Sequence, residues 1–333
     1  MRILVKKGGP LTTLQDLGRY GYQKFGVLVS GAMDDVSLRL SNLLVQNDPG
    51  EGALEMTMSG PVLVLPAGLV FALTGADMKA TLGGKPVPRY RPIYVRKEAI
   101  LTFGFAQTGS RAYLSVAGGF DVPQVMESKS TYLRAKIGGV KGRPIDKGDE
   151  LPIGTIGPHQ AAFVGRMERS AKEGDSFVTV PWSIDGSFVF AKGPISIMEG
   201  LQYDWFTEES QRTFVTEPYT ITMQADRMGY RLEGVKLTFR EKRDLISEPV
   251  TFGAIQVPAD GNPIILMAET TGGYAKIGQV ALVDLPRLAQ MRPGDKICFA
   301  WTTLTEAEKS YAKQETYLAA LKDSLAATLQ KKN

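Results

Sequence analysis

The chain has 333 residues, 43% of them hydrophobic and 22% charged, and a net charge of +4 from 39 basic and 35 acidic side chains. That size suits two domains and that balance a globular protein, while the scattered basic residues give no stripe for binding nucleic acid. One cysteine and one histidine exclude an internal disulfide and a zinc site built on Cys and His.

Ile3–Val5 reads as an opening strand closed by Gly8-Gly9-Pro10. Three apolar residues are too few for a signal peptide and no apolar run is long enough to span a membrane, so the expected location is the cytoplasm. Thr12–Gly31, rich in Gly and Tyr, reads as an ordered loop. A helix is predicted from Asp34 to Gln46, with Val36, Leu40, Leu43 and Leu44 at helical spacing, Asp34 as its cap and Asn47-Asp48-Pro49-Gly50 as its stop.

From Ala53 to Val116 the pattern turns to β, with apolar runs at Pro61–Leu65, Leu69–Leu73, Ile93–Val95 and Ala112–Val116 between Gly- or Pro-bearing turns. That rhythm predicts a small barrel or sandwich. Asp121–Pro158 is irregular and places His159 in a Gly/Pro-rich loop. Phe163-Val164, Phe177–Val180 and Phe188-Val189 are predicted as further strands.

A second β-rich section has predicted strands at Ile195–Met198, Tyr219–Met223, Leu237–Phe239, Gly253–Val257, Pro263–Ala268, Gln279–Leu282 and Lys296–Phe299. Cys298, inside the last of these, reads as a buried core residue. Ile3–Gly8 resembles Ile195–Gly200, and Leu54–Leu65 resembles Ile255–Leu266, a hint of an internal repeat. Thr305-Glu306-Ala307-Glu308 is a capping-box pattern that opens a terminal helix, striped by Leu318, Leu321, Leu325 and Leu329. That stripe packs either on its own domain or on a partner. The chain thus divides into residues 1–190, 191–302 and a helix over 303–333.

Chemistry concentrates in the second section. Thr270-Thr271-Gly272-Gly273-Tyr274 follows a strand; its glycines let backbone N–H groups approach a carboxylate or oxyanion, its hydroxyls add donors and acceptors, and Lys276 adds a positive charge. A β-turn with satisfied hydroxyls explains the same residues. Gly253–Pro263 places Gln256 and Asp260 at the ends of one strand–turn unit. Asp226-Arg227-Met228-Gly229-Tyr230-Arg231 sets an acid beside two arginines, either a surface ion pair or part of a site. Thr12–Arg19 and Ser30–Asp34 stand out in the first half. There is no Walker loop and no dinucleotide fingerprint. Ala76-Asp77-Met78-Lys79-Ala80 lacks the Met after the lysine that a biotin carrier carries, so no biotinylation site is expected.

Together these segments resemble the carboxyltransferase A–B family, which takes in a component of bacterial 5-oxoprolinase, the Kip antagonist, allophanate hydrolase subunit 2 and the urea amidolyase-related proteins. The resemblance runs from Ile3 to Phe299. It is carried by Gly9-Pro10 with Thr12–Gly21, Gly26-Val27, Ser30–Asp34, Asn42, Leu54-Glu55, Gly60-Pro61, Gly75-Ala76, Gly109–Gly119, Ser130-Thr131, Asp226–Gly229, Gly253–Pro263, Thr270–Tyr274 and Ala289–Asp295. Two departures stand out: Ala268-Glu269 leads into Thr270 two residues sooner than in the family, and Glu127-Ser128-Lys129 precedes Ser130-Thr131 where the family has Gly-Ser.

The resemblance implies a mainly β fold of two cyclophilin-like β-barrel domains with a few short helices and a C-terminal helix. It implies a Kip-inhibitor-like partner subunit of the carboxyltransferase C–D family, a third 5-oxoprolinase subunit, and ATP-dependent opening of 5-oxoproline to glutamate, with ATP bound mostly by another subunit. The alternatives are a biotin-dependent, urea-type carboxyltransferase component and a non-enzymatic regulator antagonising a kinase inhibitor. On the first reading Asp226 and Asp260 are acid/base or orienting groups, Lys276 and Arg227 neutralise a carboxylate or phosphate, and Gln256 with Thr270, Thr271, Gly272, Gly273 and Tyr274 holds the amide.

Overall fold

The computed structural model describes every residue except Glu173, 242–244, 246, 247, 249, 270, 271 and 331–333, and the side chains of 329 and 330. The protein is mainly β, with 30% strand and 24% helix. It divides into two compact units, Met1–Val189 with the chain from Leu318 onward, and Phe190–Tyr317.

The first unit is built from two six-stranded antiparallel sheets. One runs Glu150–Pro152, Arg2–Lys7, Val62–Leu65, Ala99–Thr102, Thr81–Leu82, Lys85–Pro86; the other runs Phe177–Thr179, Pro92–Val95, Val70–Asp77, Thr108–Val116, Ala53–Thr57, Thr12–Gln15. Strand alternation decides what faces inward. Ile3, Val5, Leu63 and Leu101 of one sheet share a single core with Leu54, Phe71, Leu73 and Leu114 of the other. Burial of each such side chain stabilises the fold by about 1.5–3 kcal/mol.

The opposite face of the second sheet is polar. Thr13, Glu55, Tyr113 and Thr74 lie side by side in register across four strands. The helix Asp35–Leu44 covers them. Asp34 caps it, its Oδ1 accepting from Ser37 N at 2.8 Å. Leu38 of the helix packs with Ala53 and Tyr113, Ser41 Oγ meets Ser115 Oγ at 2.6 Å, and Thr74 Oγ1 donates to the Ser37 carbonyl.

The second unit holds an eight-stranded sheet in the order Lys296–Ile297, Tyr219–Ile221, Gly229–Glu233, Ile264–Leu266, Ala254–Val257, Ala275–Val280, Ile195–Glu199, Phe299–Trp301. Its two edge strands are consecutive stretches of chain separated by Cys298 alone, so the sheet curls into a nearly closed barrel. Phe214 and Phe299 fill it with ring centroids 4.8 Å apart, and Tyr219 packs beside both.

Several expectations needed correction. Cys298 is exposed, because Ile297 and Phe299 take the inward positions on either side of it. Phe163-Val164 belongs to the helix Pro158–Ser170, where Phe163 and Met167 bury one face at helical spacing, Pro158 opens the first turn and Gln160 Oε1 accepts from Gly157 N. His159 therefore sits in that helix's first turn, exposed to solvent. Phe188-Val189 lies in a short 3-10 helix, and Leu237–Phe239 makes a single bridge, Phe206 with Phe239, in place of a strand. The loop expected from Thr12 begins with the strand Thr12–Gln15, and the strand expected at Gln279–Leu282 lies earlier, at Ala275–Val280.

The capping box of the terminal helix Leu304–Gln330 is also earlier. Glu306 N donates to Thr303 Oγ1 at 3.2 Å, and Thr303 N donates to Glu306 Oε2 at 3.1 Å. Leu318 and Leu325 of the predicted stripe are buried. The repeat hint does not extend to pairing: Ala53–Thr57 and Val62–Leu65 join different sheets, whereas Ala254–Val257 and Ile264–Leu266 pair directly. Among the described residues no helix is long and apolar enough to cross a membrane.

Candidate functional site

The strand Ala254–Val257 is flanked by Ile264–Leu266 and Ala275–Val280, both antiparallel to it. The flanking strands are therefore parallel to each other, and the chain after Leu266 must cross over the central strand to reach Ala275. Gln256 stands at that crossing, aligned with Ile264 on one side and Lys276 on the other. It is buried, and among the described residues its Nε2 has no hydrogen-bond partner. A Cβ added to Gly272 would overlap the Gln256 amide and come within 2.7 Å of Val250 Cγ1, so only glycine lets the crossing chain lie this close. A buried amide nitrogen left unpaired forfeits about 1–3 kcal/mol, a cost that a fold tolerates where a ligand completes the bond.

Lys276 is held beside it. Its backbone N donates to Gln202 Oε1 at 3.0 Å, and Gln202 N donates back to the Lys276 carbonyl at 3.1 Å. The turn that delivers Gln202 needs Gly200, where a Cβ would stand 2.7 Å from Gly278 N. The Lys276 ammonium reaches Glu248 Oε2 at 2.5 Å, and Gln202 Nε2 donates to the same carboxylate at 3.2 Å. The hydrogen bond from Lys276, then that from Gln202, holds the Glu248 carboxyl below its ordinary range. The Lys276 side chain is only 8% exposed and that of Glu248 is 37% exposed.

The structure brings Gln256, Gly272 and Lys276 together; Thr270 and Thr271 lie outside the described residues. Gly273 and Tyr274 are exposed on the same crossing segment. Arg227 is buried and paired with Glu269, Nε to Oε1 at 2.9 Å, while Glu269 N donates to the Arg227 carbonyl. Asp226 and Asp260 are set apart. Gly229 aligns with Leu266 and Arg231 with Ile264, so Asp226 lies near one end of this strand pair and Asp260 near the other. Each carboxylate is exposed and fixes its own turn. Asp226 Oδ1 accepts from Met228 N and Gly229 N, and Asp260 accepts from the backbone N and Nδ2 of Asn262. The bond from the Asn262 backbone, with smaller help from Lys236 and Arg231, lowers the Asp260 carboxyl from its ordinary value.

Sequence reasoning missed Gln202 and Glu248. Both reach Lys276 from far along the chain, with no local motif to mark them.

A family described as carboxyltransferase domain, subdomain A and B, matches residues 25–301. The chain belongs to that family. It is 38% identical over 308 residues to a protein of Haemophilus influenzae named as a subunit of 5-oxoprolinase, covering 92% of this chain and 93% of that protein. The like-named protein of Escherichia coli is 37% identical over 317 residues, covering 95% of this chain and 96% of its relative. Among solved structures, the Kluyveromyces lactis urea carboxylase superposes with a TM-score of 0.85 at 28% identity; the match covers 96% of this chain and 29% of that one.

In this carboxyltransferase-family chain the first unit carries a second polar concentration, on Thr12–Arg19 and Ser30–Asp34 and the strands beside them. The buried Asp16 carboxylate accepts from Gly18 N, Ser128 Oγ, Lys129 N and Ser130 Oγ. Arg19, fully buried, donates through Nε to the Val125 carbonyl and through Nη2 to the Ser130 carbonyl, while Nη1 has no partner among the described residues. Glu55 Oε2 accepts from Met33 N and from Tyr113 Oη, and Arg111 Nε lies 4.0 Å from Glu55 Oε1. Burial, then the neighbouring Glu55 charge, raises the Tyr113 phenol well above its ordinary value, so Tyr113 acts as a hydrogen-bond donor and not as a base.

Proposed function

We propose that this chain is a component of an ATP-dependent 5-oxoprolinase complex that opens 5-oxoproline to glutamate with a Kip-inhibitor-like partner of the carboxyltransferase C–D family and a third subunit, in the cytoplasm. The observation that carries the reading is length. The chain matches two bacterial proteins named as 5-oxoprolinase subunits almost end to end, whereas it spans 29% of the urea carboxylase chain. The chemistry of the site supports it: a little-exposed ammonium and an unpaired amide donor lie on neighbouring strands, suited to a small molecule with a carboxylate and an amide carbonyl.

On this reading Lys276 neutralises the substrate carboxylate. Gln256 Nε2 donates to the lactam carbonyl and strengthens that bond as negative charge builds on its oxygen. The N–H groups of Gly272 and Gly273 add donors at the crossing and Tyr274 stands beside them, while Thr270 and Thr271, outside the described residues, keep their proposed role as groups that hold the amide. Arg227, neutralised by Glu269, fixes the start of the crossing segment, and Asp226 and Asp260 orient the turns at either end of the strand pair. A lactam is a poor electrophile; ATP would supply a phosphoryl group to its oxygen with release of ADP, and that group would leave as phosphate after water adds at the carbonyl carbon and the ring C–N bond breaks with a proton passing to nitrogen. The sequence has no Walker loop, and on this reading another subunit holds most of the ATP site. The test is co-expression with the Kip-inhibitor-like and third subunits. The expected result is ATP hydrolysis that depends on 5-oxoproline; an assembled complex without it refutes the proposal.

The fold similarity to urea carboxylase favours one second reading, a component that moves a carboxyl group from biotin to urea. It predicts urea carboxylation when a biotinylated carrier and a biotin carboxylase are supplied, and no response to 5-oxoproline.

A further inference from the structure

The Lys276 ammonium is a strong anion site that already holds an anion, and the anion is part of this chain. Among the described residues Glu248 is the acidic partner of Lys276, at 2.5 Å. Its carboxylate takes the grip a bound carboxylate would take: the ammonium, and Gln202 Nε2 at 3.2 Å from one oxygen and 3.5 Å from the other. The receiving side of the grip is fixed. Lys276 and Gln202 are buried and lock each other through two hydrogen bonds, Lys276 N to Gln202 Oε1 and Gln202 N to the Lys276 carbonyl. The occupying side is loose by comparison: Glu248 is the exposed member, on the connection between the strands Gly229–Glu233 and Ala254–Val257. On the neighbouring strand, aligned with Lys276, Gln256 Nε2 stands unpaired among the described residues.

The geometry points to Glu248 as an internal stand-in for the ligand's carboxylate, which the ligand displaces from Lys276 and Gln202 on binding. This inference rests on the proposed amide-acid site and sharpens it. A ligand must outcompete a tethered carboxylate, so a neutral amide such as urea, which brings no anion, leaves Glu248 in place and reaches Gln256 alone. Specificity for amides that carry a carboxylate then comes from exchange of one anion for another, with the Lys276 charge never left bare in a little-exposed position. Glu248 is a positioning and specificity residue on this account: it sets the threshold for binding and takes no part in bond breaking.

The experiment titrates the full-length chain with sodium acetate, a carboxylate with no amide, using sodium chloride at equal ionic strength as the control, and follows the side-chain amide resonances of Gln202 and Gln256. The expected result is a saturable Gln202 shift whose midpoint falls about tenfold in Glu248→Gln, because the variant keeps the side-chain shape and loses the competing charge. Lys276→Met abolishes the response, and Lys276→Arg, the variant that guards against misfolding, keeps it. Urea shifts Gln256 and leaves Gln202 unmoved in every variant. An equal acetate midpoint in wild type and Glu248→Gln, or a weaker one in the variant, overturns the inference. The readout needs no turnover, so it stands even if the assembled complex fails to hydrolyse 5-oxoproline. In the complex, Glu248→Gln lowers KM for 5-oxoproline with little change in kcat, whereas a merely structural role for Glu248 lowers kcat or raises KM.

Discussion

The two units hold their buried charged groups in different ways. In the first, the carboxylates are saturated from within: Asp16 collects four donors and Glu55 collects a backbone N–H, the Tyr113 hydroxyl and a neighbouring guanidinium. In the second, Gln256 is buried with an idle donor, and Lys276 leans on a partner that solvent can reach. Both regions carry residues that mark the family, so residue type does not separate them. The surroundings of the charges do: Asp16 and Glu55 are enclosed by their donors, whereas the partner of Lys276 is open to solvent and the idle Gln256 amide lies on the next strand. An unpaired buried atom alone does not mark a site, since Arg19 Nη1 and Gln15 Oε1 of the first unit also lack a partner among the described residues.

The largest effect that sharpens this contrast is at Glu55. Glu55→Ala strips partners from Tyr113 and Met33 N and removes the carboxylate beside the buried Arg111 guanidinium, which costs about 3–5 kcal/mol. Urea unfolding of the full chain should show that loss as a lower midpoint with an unchanged slope. A change below about 1 kcal/mol would mean that the polar face of the first sheet is not a structural network.

Next comes Gly272→Ala. The new methyl overlaps the Gln256 amide and the crossing chain must lift, a strain of about 1–3 kcal/mol. Ligand affinity should fall more than stability, since the shift moves the donor as well as the loop. Equal wild-type binding would show that Gln256 does not face the ligand.

A smaller effect belongs to the first unit and is visible in acid. Arg143 grips Asp149 with two hydrogen bonds of 2.7 Å and holds its carboxyl at about 2, against an ordinary value of 3.8. A carboxyl lowered by folding stabilises the native state fully above its unfolded value, and that contribution drains away as pH falls toward the folded one. Stability should therefore drop between about pH 4 and pH 2, and Asp149→Asn should flatten that drop while costing about 1.5–3 kcal/mol at neutral pH. Chemical denaturation at pH 7, 4 and 3 checks both.

Much of the fold was legible in sequence where a local signal was strong. The first helix showed its stripe and its Asp34 cap, and most strands of the first unit showed as apolar runs between turns. Local signals failed where two readings shared one pattern. Phe163-Val164 looked like a strand until Met167 supplied the helical period, and Cys298 looked buried because its run is apolar, although alternation turns it outward. In the site, Gln256, Gly272 and Lys276 were legible as a strand, a glycine crossing and a charge. Their alignment across the sheet was not, because register is set by partners far along the chain. Gln202 and Glu248 lie 74 and 28 residues from Lys276, and no window on the sequence joins them.

The smallest expected effect on stability is the most discriminating one. Met has nearly the shape of Gln and no donor to satisfy, so Gln256→Met removes a buried amide that already makes no bond through Nε2. Were Gln256 a structural residue like Glu55, its loss would destabilise by about 1–3 kcal/mol through orphaned neighbours. Because its donor is idle, the exchange should be neutral or stabilising by up to about 1 kcal/mol, the usual outcome when an unpaired polar group in an apolar setting is replaced by an apolar one of similar volume. The amide ligand should feel the opposite, losing about tenfold or more in affinity with the loss of one hydrogen bond to its carbonyl. Thermal unfolding with and without ligand separates the two: an unchanged or higher midpoint for the free chain together with a lost ligand-induced rise marks a binding residue, while a lower midpoint that the ligand still raises returns Gln256 to the company of Glu55 and dissolves the contrast between the units.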